Sequence, residues 1–387
     1  MYIQQNPLFS FNELMSFQPK SRLELIFSKI DFTPALAALP KASVFGPNGY
    51  SQQALLLALI AKVILQIPTL SALVEQLREN ILLRFACGFD LIGHTPSIAT
   101  FSRFYARITA AEAMDAFFHS LVSKGLTADV IHKQIAAIDS SSIESYEHYR
   151  KRPEDGSHAA WGHKRDSKDR PYDWYGYKLH LSVDAESGLP TAYTVTPANT
   201  ADSEQAIPLM ERMPFQPDYY CMDKGYDVTK LYQAVNDLGS QAIIPLNRRN
   251  EKTPPAGMNE KHWPVCSMGY PMVYWGAEKK RGCAKFRCPH ICGKKDCSQG
   301  SAWCADSAYG YSLRLSQEKD PRNVSFPFRN SKNWKKIYKM RGAVERFFGY
   351  LKTNLGAEQL HVRGTAKVTT HLLLCCVTAM AISIAMH

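Results

Sequence analysis

The arrangement of hydrophobic and polar positions changes character near residue 130 of the 387-residue chain. Before that point, apolar residues recur at helical spacing in short segments bounded by capping and turn residues. Helices are predicted from a cap at Ser51 to the residue before Pro68, at 69–83, at 98–108, and from a Thr109/Glu112 capping box to Gly125. Such helices are typical of a helix-turn-helix DNA-binding module, and equally of a bundle that supports the rest of the protein.

After residue 130 the apolar residues form short continuous or alternating runs, which predict strands. Strands are predicted around Asp139 and at 177–183, 191–196, 219–223 and 241–245, with helices at 201–213 and 228–238. Three early strands followed by alternating strands and helices predict a mixed α/β sheet flanked by helices. A polar link at 144–172 is predicted as a flexible loop. A stretch rich in Gly, Pro and Cys at 250–330 interrupts the pattern before a helix resumes near Asn333.

The composition is that of an ordinary globular protein, with 45% hydrophobic residues and a net charge of +11, which excludes disordered and fibrous classes. The positive charge is local, because residues 278–341 contain sixteen Lys or Arg against five Asp or Glu. The end of this stretch is a run of cations interleaved with Trp334 and Tyr338, namely Lys332, Lys335, Lys336, Lys339 and Arg341. This concentration favours binding of nucleic acid over a solvated face that only maintains solubility.

Two aspartates at the ends of predicted strands form the first candidate site. Asp139 and Asp223 are each followed by polar residues, and strands that lie side by side would bring their carboxylates together. Such carboxylates bind Mg²⁺, and two ions about 4 Å apart activate the attacking oxygen and stabilise the leaving one in phosphodiester chemistry. A single aspartate at such a position is commonly a turn former, so the inference depends on the pair.

A third candidate acid lies in the basic C-terminal segment. Tyr338, Arg341, Glu345 and Lys352 are separated by 3, 4 and 7 residues, which places them on one face of a predicted helix. Glu345 would complete the metal site, and the other three side chains would contact phosphate oxygens. The alternative is an exposed Arg341–Glu345 pair that stabilises the helix by about 0.3 kcal/mol. The basic surroundings favour the first interpretation.

These motifs resemble those of the DDE transposases of bacterial insertion sequences. The spacing Tyr338-x2-Arg341-x3-Glu345-x6-Lys352 is similar to their Tyr–Arg–Glu–Lys signature, and the segments around Asp139 and Asp223 resemble their two aspartate blocks. The resemblance implies an RNase H-like core in which Asp139, Asp223 and Glu345 are catalytic and bind two Mg²⁺ or Mn²⁺ ions. It also implies DNA contacts from Tyr338, Arg341 and Lys352. The neighbouring Lys335, Lys336 and Lys339 are expected to bind DNA because of the concentration of positive charge.

The resemblance divides the chain into an N-terminal helical, candidate DNA-binding domain (1–130) and a catalytic domain in two parts (131–250 and 331–387). A Cys-rich basic insertion (251–330) separates the two parts, and Asp227 is expected to cap a helix N-terminus. The expected activity is cleavage of terminal-repeat DNA and joining of the freed 3′ ends to target DNA, in a homodimer or larger synaptic complex. Two alternatives remain, an endonuclease without strand transfer and a non-catalytic transposase-derived DNA-binding protein.

Six of the ten cysteines fall between residues 266 and 304. Cys283, Cys288, Cys292 and Cys297 offer four soft ligands within fifteen residues, enough for a tetrahedral structural Zn²⁺. The alternative is a loop with reduced, partly buried thiols. A weaker hypothesis is a metal-regulated DNA-binding protein built around this cluster.

Neither end of the chain predicts export or membrane insertion. The first twenty residues have no basic n-region and no apolar h-region, so a secretory route is not expected. The longest uncharged apolar run, 372–386, is short for a membrane span, and a buried terminal helix is predicted there. The protein is therefore expected in the cytoplasm, associated with DNA and not with a membrane.

Overall fold

The computed structural model describes residues 10–41, 49–149, 159–165, 170–249, 251–300 and 303–387. The helices are α1 (Phe11–Phe17), α2 (Arg22–Lys29), α3 (Thr33–Ala37), α4 (Gln52–Ile64), α5 (Leu70–Glu79), α6 (Ile81–Cys87), α7 (Ile98–Ala110), α8 (Ala113–Thr127), α9 (Asp202–Arg212), α10 (Thr229–Asp237), α11 (Lys332–Tyr338), α12 (Gly342–Asn354) and α13 (Thr365–Met386). The strands are β1 (Ile135–Glu144), β2 (Ala160–Arg165), β3 (Pro171–Asp184), β4 (Pro190–Pro197), β5 (Tyr219–Cys221), β6 (Gln241–Ile243), β7 (Val273–Glu278), β8 (Cys283–Arg287) and β9 (Ser312–Ser316).

The chain forms two compact units. The first comprises residues 1–125, 351–362 and 366–387, and the second comprises residues 126–350 and 363–365. The C-terminal helix α13 packs in the first, helical unit. The physical reason is that α13 is apolar around most of its circumference, so it has to be surrounded by other apolar helices.

Two helix boundaries in the first unit differ from the prediction. Asn80 ends α5 and caps α6, because its Oδ1 accepts the N–H groups of Leu82 and Leu83, so the helix predicted at 69–83 is divided. The predicted Thr109/Glu112 capping box does not form. Thr109 lies inside α7, where its hydroxyl donates to the Tyr105 carbonyl, and Glu112 has a positive φ at the turn before α8.

Helix α13 is the central helix of this unit. By length and composition alone it could cross a membrane, but 72% of its most apolar window is buried inside the protein. Its polar groups also have partners within the unit: the Tyr105 hydroxyl donates to the Lys367 carbonyl, and the Thr370 hydroxyl bonds to that of Thr109. The burial confirms the buried terminal helix predicted from the sequence.

The second unit is built on a mixed sheet with the strand order β4-β3-β1-β5-β6. The pairs β4–β3 and β3–β1 are antiparallel, whereas β1–β5 and β5–β6 are parallel. This order and these directions are those of the RNase H-like fold, so the predicted fold class is confirmed. The link predicted as a flexible loop contains β2, which pairs with the first half of β3. The other residues of that link at 150–158 and 166–169 lie outside the described residues.

Helices cover both faces of this sheet. Side chains of α9 and α10 pack with Ile138, Tyr220 and Ile244 on one face. On the other face, Trp334 of α11 packs with Cys221 and Ile243. Because successive strand residues point to opposite faces, the odd-numbered positions of β1 and β5 face α11.

The insertion between the second and third acids has its own core, which the sequence analysis did not expect. Strands β7, β8 and β9 form a three-stranded antiparallel sheet. Its inner face packs on Phe328, with Trp263, Tyr274 and Phe286 making ring contacts at centroid distances of 4.9–5.9 Å. The core is not evident from the composition of the insertion, because a few large aromatic rings supply most of its apolar area.

Candidate functional site

The parallel register of β1 and β5 brings the two candidate aspartates together. Ala137 pairs with Cys221, Asp139 lies two residues further along β1, and Asp223 lies two residues beyond the end of β5. They are therefore level with each other, on strands that pair about 4.8 Å apart, and both side chains face the α11 side of the sheet. Asp223 is held in place because its Oδ1 accepts the Gly225 N–H at 2.7 Å, which caps a short 3-10 helix at 224–226. A Cβ at Gly225 would come within 2.9 Å of that oxygen, so a larger residue there would displace the Asp223 carboxylate.

The electrostatics of Asp139 are unusual for a carboxylate. Burial raises its pKa to about 7, and the negative charges of Asp223 and Asp202 act in the same direction. The Ser140 N–H, which donates to Oδ1 at 2.8 Å, and the Arg341 guanidinium oppose this shift. Burial is thus the main reason that the charged form of Asp139 is disfavoured, and the neighbouring carboxylates add to it.

Glu345 is linked to Asp139 through Arg341. Arg341 Nη1 donates to Asp139 Oδ2 at 3.0 Å, and Nη2 donates to Glu345 Oε1 at 2.5 Å. The predicted single helix from Tyr338 to Lys352 is divided, because residues 339–341 form a 3-10 turn between α11 and α12. The break places Arg341 beside the strand ends and Glu345 in the first turn of α12. Arg341 is thus more than a surface partner of Glu345, because it also binds the buried acid.

The chemistry of these donors fits a divalent cation. Carboxylate oxygens are the ligands that Mg²⁺ and Mn²⁺ prefer, and a pair of carboxylates whose mutual repulsion raises a pKa is stabilised by a cation between them. Glu345 points at Arg341 in this arrangement, and nowhere in the described parts of the chain do three His, Cys, Asp or Glu side chains gather closely enough to hold a metal ion. Completing a three-carboxylate site therefore requires Glu345 to leave the guanidinium.

Asp202 and Lys178 belong to this neighbourhood, although the sequence analysis did not single them out. Lys178 Nζ donates to Asp202 Oδ1 at 2.9 Å, and Asp202 lies close enough to Asp139 to raise the pKa of that aspartate. Burial, together with the charges of Asp139, Asp202 and Asp223, also raises the pKa of Tyr226. The only sequence signal for Asp202 was its place in the acidic first turn of α9, and many ordinary helices share that feature.

Asp227 does not cap a helix, contrary to the prediction. Its buried carboxylate accepts hydrogen bonds from Arg322, the Asn247 N–H and the Tyr232 hydroxyl, at 2.7–3.3 Å. Burial raises the pKa of Asp227, but the Arg322 hydrogen bonds and the other donors outweigh this effect and hold it below the usual range. The Arg322–Asp227 ion pair therefore connects the end of the insertion to the turn that follows Asp223.

The cations predicted to bind DNA lie largely in solvent, but their aromatic neighbours do not. Lys335, Lys336 and Lys339 are exposed, whereas Trp334 is buried and stacks on Tyr338 with ring centroids 4.9 Å apart. The interleaved aromatics therefore fix α11 against the sheet and leave its lysines outward, on the face that carries Asp139. Lys352 of α12 forms an ion pair with Glu358 at 2.6 Å.

The predicted zinc ligands are only partly brought together. Cys288 and Cys297 line one small pocket, together with Cys266, Cys304 and His290. Cys283 lies on β8, where its thiol donates to the Arg281 carbonyl, and neither it nor Cys292 lines that pocket. His290 Nδ1 accepts the Cys297 N–H at 3.3 Å, so this nitrogen already has a partner. Zinc binding stays a prediction, since neither the cysteines chosen by spacing nor those around this pocket bring three such ligands close enough to hold a metal ion within the described residues.

An open pocket of about 800 Å³ lies at the opposite end of the strands from the acids. The first residues of β1, β5 and β6 line it, together with Tyr274 and Lys336. None of the three acids lines this pocket.

Comparisons with known proteins agree with this arrangement. The family described as "Transposase DDE domain" matches residues 131–381, and the family "Transposase domain (DUF772)" matches residues 12–107. Among solved structures, the piggyBac transposase synaptic complex with hairpin DNA is similar at 11% sequence identity and a TM-score of 0.42. That similarity covers 94% of this chain and 72% of the other. The comparison with curated protein sequences gave no match.

Proposed function

Because this chain belongs to the DDE transposase family, whose members are phosphoryl-transfer enzymes, we propose that it cleaves the ends of an insertion sequence and joins them to target DNA. The observation that carries the proposal is the level placement of Asp139 and Asp223 on neighbouring parallel strands, with Arg341 connecting Asp139 to Glu345. The partners are terminal-repeat DNA and target DNA, in a complex of at least two copies of the chain.

The reaction consists of two phosphoryl transfers. In the first, a water oxygen attacks a phosphorus at the element end, and the bond to the 3′ oxygen breaks to leave a 3′-hydroxyl. In the second, that hydroxyl attacks a phosphorus of the target strand and displaces the target's own 3′ oxygen. Two Mg²⁺ or Mn²⁺ ions held by Asp139, Asp223 and Glu345 would supply charge stabilisation for both oxygens.

The chain's own residues have three tasks in this scheme. The pairing of β1 with β5 positions Asp139, and the turn that Asp223 caps positions Asp223 just beyond the end of β5. Arg341 opposes the effect of burial on the pKa of Asp139 and donates to Glu345 in the first turn of α12. The exposed lysines of α11 lie on the same side of the sheet and neutralise DNA phosphates, with Tyr338 and Lys352 as further contacts.

The test uses full-length protein and a plasmid that carries the DNA flanking this gene on both sides. The protein is incubated with Mg²⁺, and 3′ ends and joined products are mapped by sequencing. Glu345→Gln keeps the size and the hydrogen-bonding capacity of the side chain but removes its charge, and Glu204→Gln is a matched control on α9. We expect cleavage at the element boundaries and joined products with wild type and with the control, and neither with Glu345→Gln.

Each competing function predicts a different result in this assay. Nicks without joined products would identify an endonuclease that lacks strand transfer. Boundary-specific binding without cutting under any divalent ion would identify a DNA-binding protein. Cleavage retained in Glu345→Gln would remove Glu345 from the catalytic set.

A further inference from the structure

The first turn of α9 places an additional acid, Asp202, near Asp139. Strand β4 runs in the same direction as β1, because both are antiparallel to β3, so the connection after β4 starts α9 at the end of the sheet toward which β1 runs. Ala206 of α9 packs in the core with Ile138 and Tyr226. Asp202 precedes Ala206 by four residues and therefore lies on the same face of the helix, one turn nearer that end of the sheet.

A buried hydroxyl lies among these acids. Tyr226 is 1% exposed, and within the described residues its hydroxyl oxygen is buried without a hydrogen-bond partner. Burial raises the pKa of this hydroxyl, and so do the charges of Asp139, Asp202 and Asp223. A buried hydroxyl without a partner is costly, and a phenol oxygen accepts hydrogen bonds as well as donating them. A water molecule bound to a cation among the carboxylates could donate to it.

The buried histidine beside these acids does not neutralise them. His180 lies opposite Ser140, the neighbour of Asp139, and its Nε2 bonds to the Thr196 hydroxyl at 2.9 Å. Burial lowers its pKa to about 4, although the charge of Asp202 acts in the opposite direction. The imidazole is therefore neutral at neutral pH, and the negative charge of Asp202 has to be balanced by other groups.

The ion pairs of the acids leave an excess of negative charge. Within the described residues, Arg341 pairs with Asp139 and Glu345, and Lys178 pairs with Asp202. Together with Asp223 these acids number four against two paired cations, so the excess of two charges is that of one divalent ion.

Lys178 orients the Asp202 carboxylate without enclosing it. Its Nζ donates to Asp202 Oδ1 at 2.9 Å and to the Thr200 carbonyl at 2.8 Å. The Asp202 side chain remains 37% exposed. A carboxylate has about four lone-pair sites, and the lysine occupies one of them. The carboxylate is thus held in position with capacity for a further donor.

We propose that Asp202 is a fourth acid of the candidate metal site and binds the divalent ion held by Asp139 and Asp223 through one of the ion's own water molecules. Mg²⁺ usually keeps several waters and binds one or two carboxylates directly, so a further acid close by can accept hydrogen bonds from those waters. The proposal rests on the proposed function for the presence of the ion. The alternative is that Asp202 serves only as the structural partner of Lys178.

The test measures Mn²⁺ binding by full-length protein in the absence of DNA, from the electron paramagnetic resonance signal of the free ion. Asp202→Asn keeps the shape of the side chain and is expected to weaken Mn²⁺ binding about tenfold, as loss of an outer acid does at other metal sites. Glu204→Gln is the control, because Glu204 is an exposed acid in the same turn of α9, and it should bind Mn²⁺ like wild type. Lys178→Met removes the competing cation and should bind Mn²⁺ at least as tightly as wild type.

Two outcomes would overturn the proposal. Unchanged Mn²⁺ affinity in Asp202→Asn would remove Asp202 from the site. An equal loss in Asp202→Asn and Lys178→Met would show that the ion pair is only structural, because either substitution breaks that pair.

Asp139→Asn and the plasmid cleavage assay separate this proposal from the proposed function. Loss of Mn²⁺ binding in Asp139→Asn but not in Asp202→Asn would reject the fourth acid alone. Weakened Mn²⁺ binding in both variants, without any cleavage or joining by wild type, would reject the proposed function alone.

Discussion

The buried pair between Arg322 and Asp227 allows a quantitative prediction, because its partners and exposure are defined. Arg322 donates to Asp227 through Nε and Nη2, with a shortest distance of 2.8 Å, and the Asp227 side chain is fully buried. Replacing Arg322 with Met keeps most of the side-chain volume but removes the charge. The substitution leaves a buried carboxylate without its main partner.

The expected cost follows from the remaining neighbours of Asp227. Breaking a buried pair by removing one partner typically costs about 3–5 kcal/mol. Here Arg329 stays 3.9 Å from Asp227, and the Tyr232 hydroxyl and Asn247 N–H still donate to it. These groups still stabilise the Asp227 carboxylate in part. We therefore expect Arg322→Met to lower the local stability by about 3 kcal/mol, at the lower end of that range. The matched control is Arg314→Met, whose pair with Glu278 is 45% and 29% exposed and is expected to contribute about 0–1 kcal/mol.

Amide hydrogen exchange is the suitable assay, because a chain with two compact units need not unfold in one step. Peptides covering 241–249 and 312–329 are compared between wild type, Arg322→Met and Arg314→Met. A local cost of about 3 kcal/mol predicts exchange about 100-fold faster in Arg322→Met. The effect should depend on pH in a defined direction. Because the pKa of Asp227 is lowered in the folded state, the stability contributed by its ion pair is fully present above about pH 4. This stability is lost as the pH falls through the lowered pKa.

The reasoning would be refuted if Arg322→Met exchanged no faster than the Arg314→Met control. It would also fail if the difference between Arg322→Met and wild type persisted unchanged in acid, where Asp227 is protonated in both proteins.

Three further predictions concern the core, the DNA contacts and the insertion. Gly176→Ala should destabilise the second unit by more than about 2 kcal/mol or abolish folding, because its Cβ would meet the Ile143 carbonyl oxygen at 2.1 Å. In thermal unfolding, Gly349→Ala is the control and should stabilise α12 by about 0.5–1 kcal/mol, since nothing lies within 4 Å of its Cβ. Lys352→Ala should weaken element-end binding and reduce the salt dependence by about one phosphate contact, and an unchanged slope in a salt titration would count against it. If the insertion binds zinc, Cys288→Ser should lower the metal content measured by atomic absorption. Equal zinc content in this variant and in wild type would exclude Cys288 as a ligand.

Much of the catalytic core could be predicted from local sequence pattern. The strands around Asp139 and Asp223 were recognisable because short apolar runs ended at polar residues, and the Glu345 helix was recognisable from its spacing. The cause is that the strands are apolar where they are buried and polar where they end, and that buried positions of α12 recur at helical spacing. The break at 339–341 was not predictable, since Lys339 and Arg341 are adequate helix formers and the kink depends on where Arg341 meets Asp139.

The sequence by itself determined which carboxylates and cations are candidates for the chemistry, because the number and type of these residues do not depend on the fold. Tertiary structure alone decided which of them meet. The pairing of β1 with β5 places Asp139 level with Asp223. The connection from β4 to α9 brings Asp202 close enough to raise the pKa of Asp139. It also decided that Asp227 pairs with Arg322, 95 residues away, and that Trp275 and Tyr309 enclose Arg287. Such long-range contacts depend on packing between elements, and no local period along the chain encodes that packing.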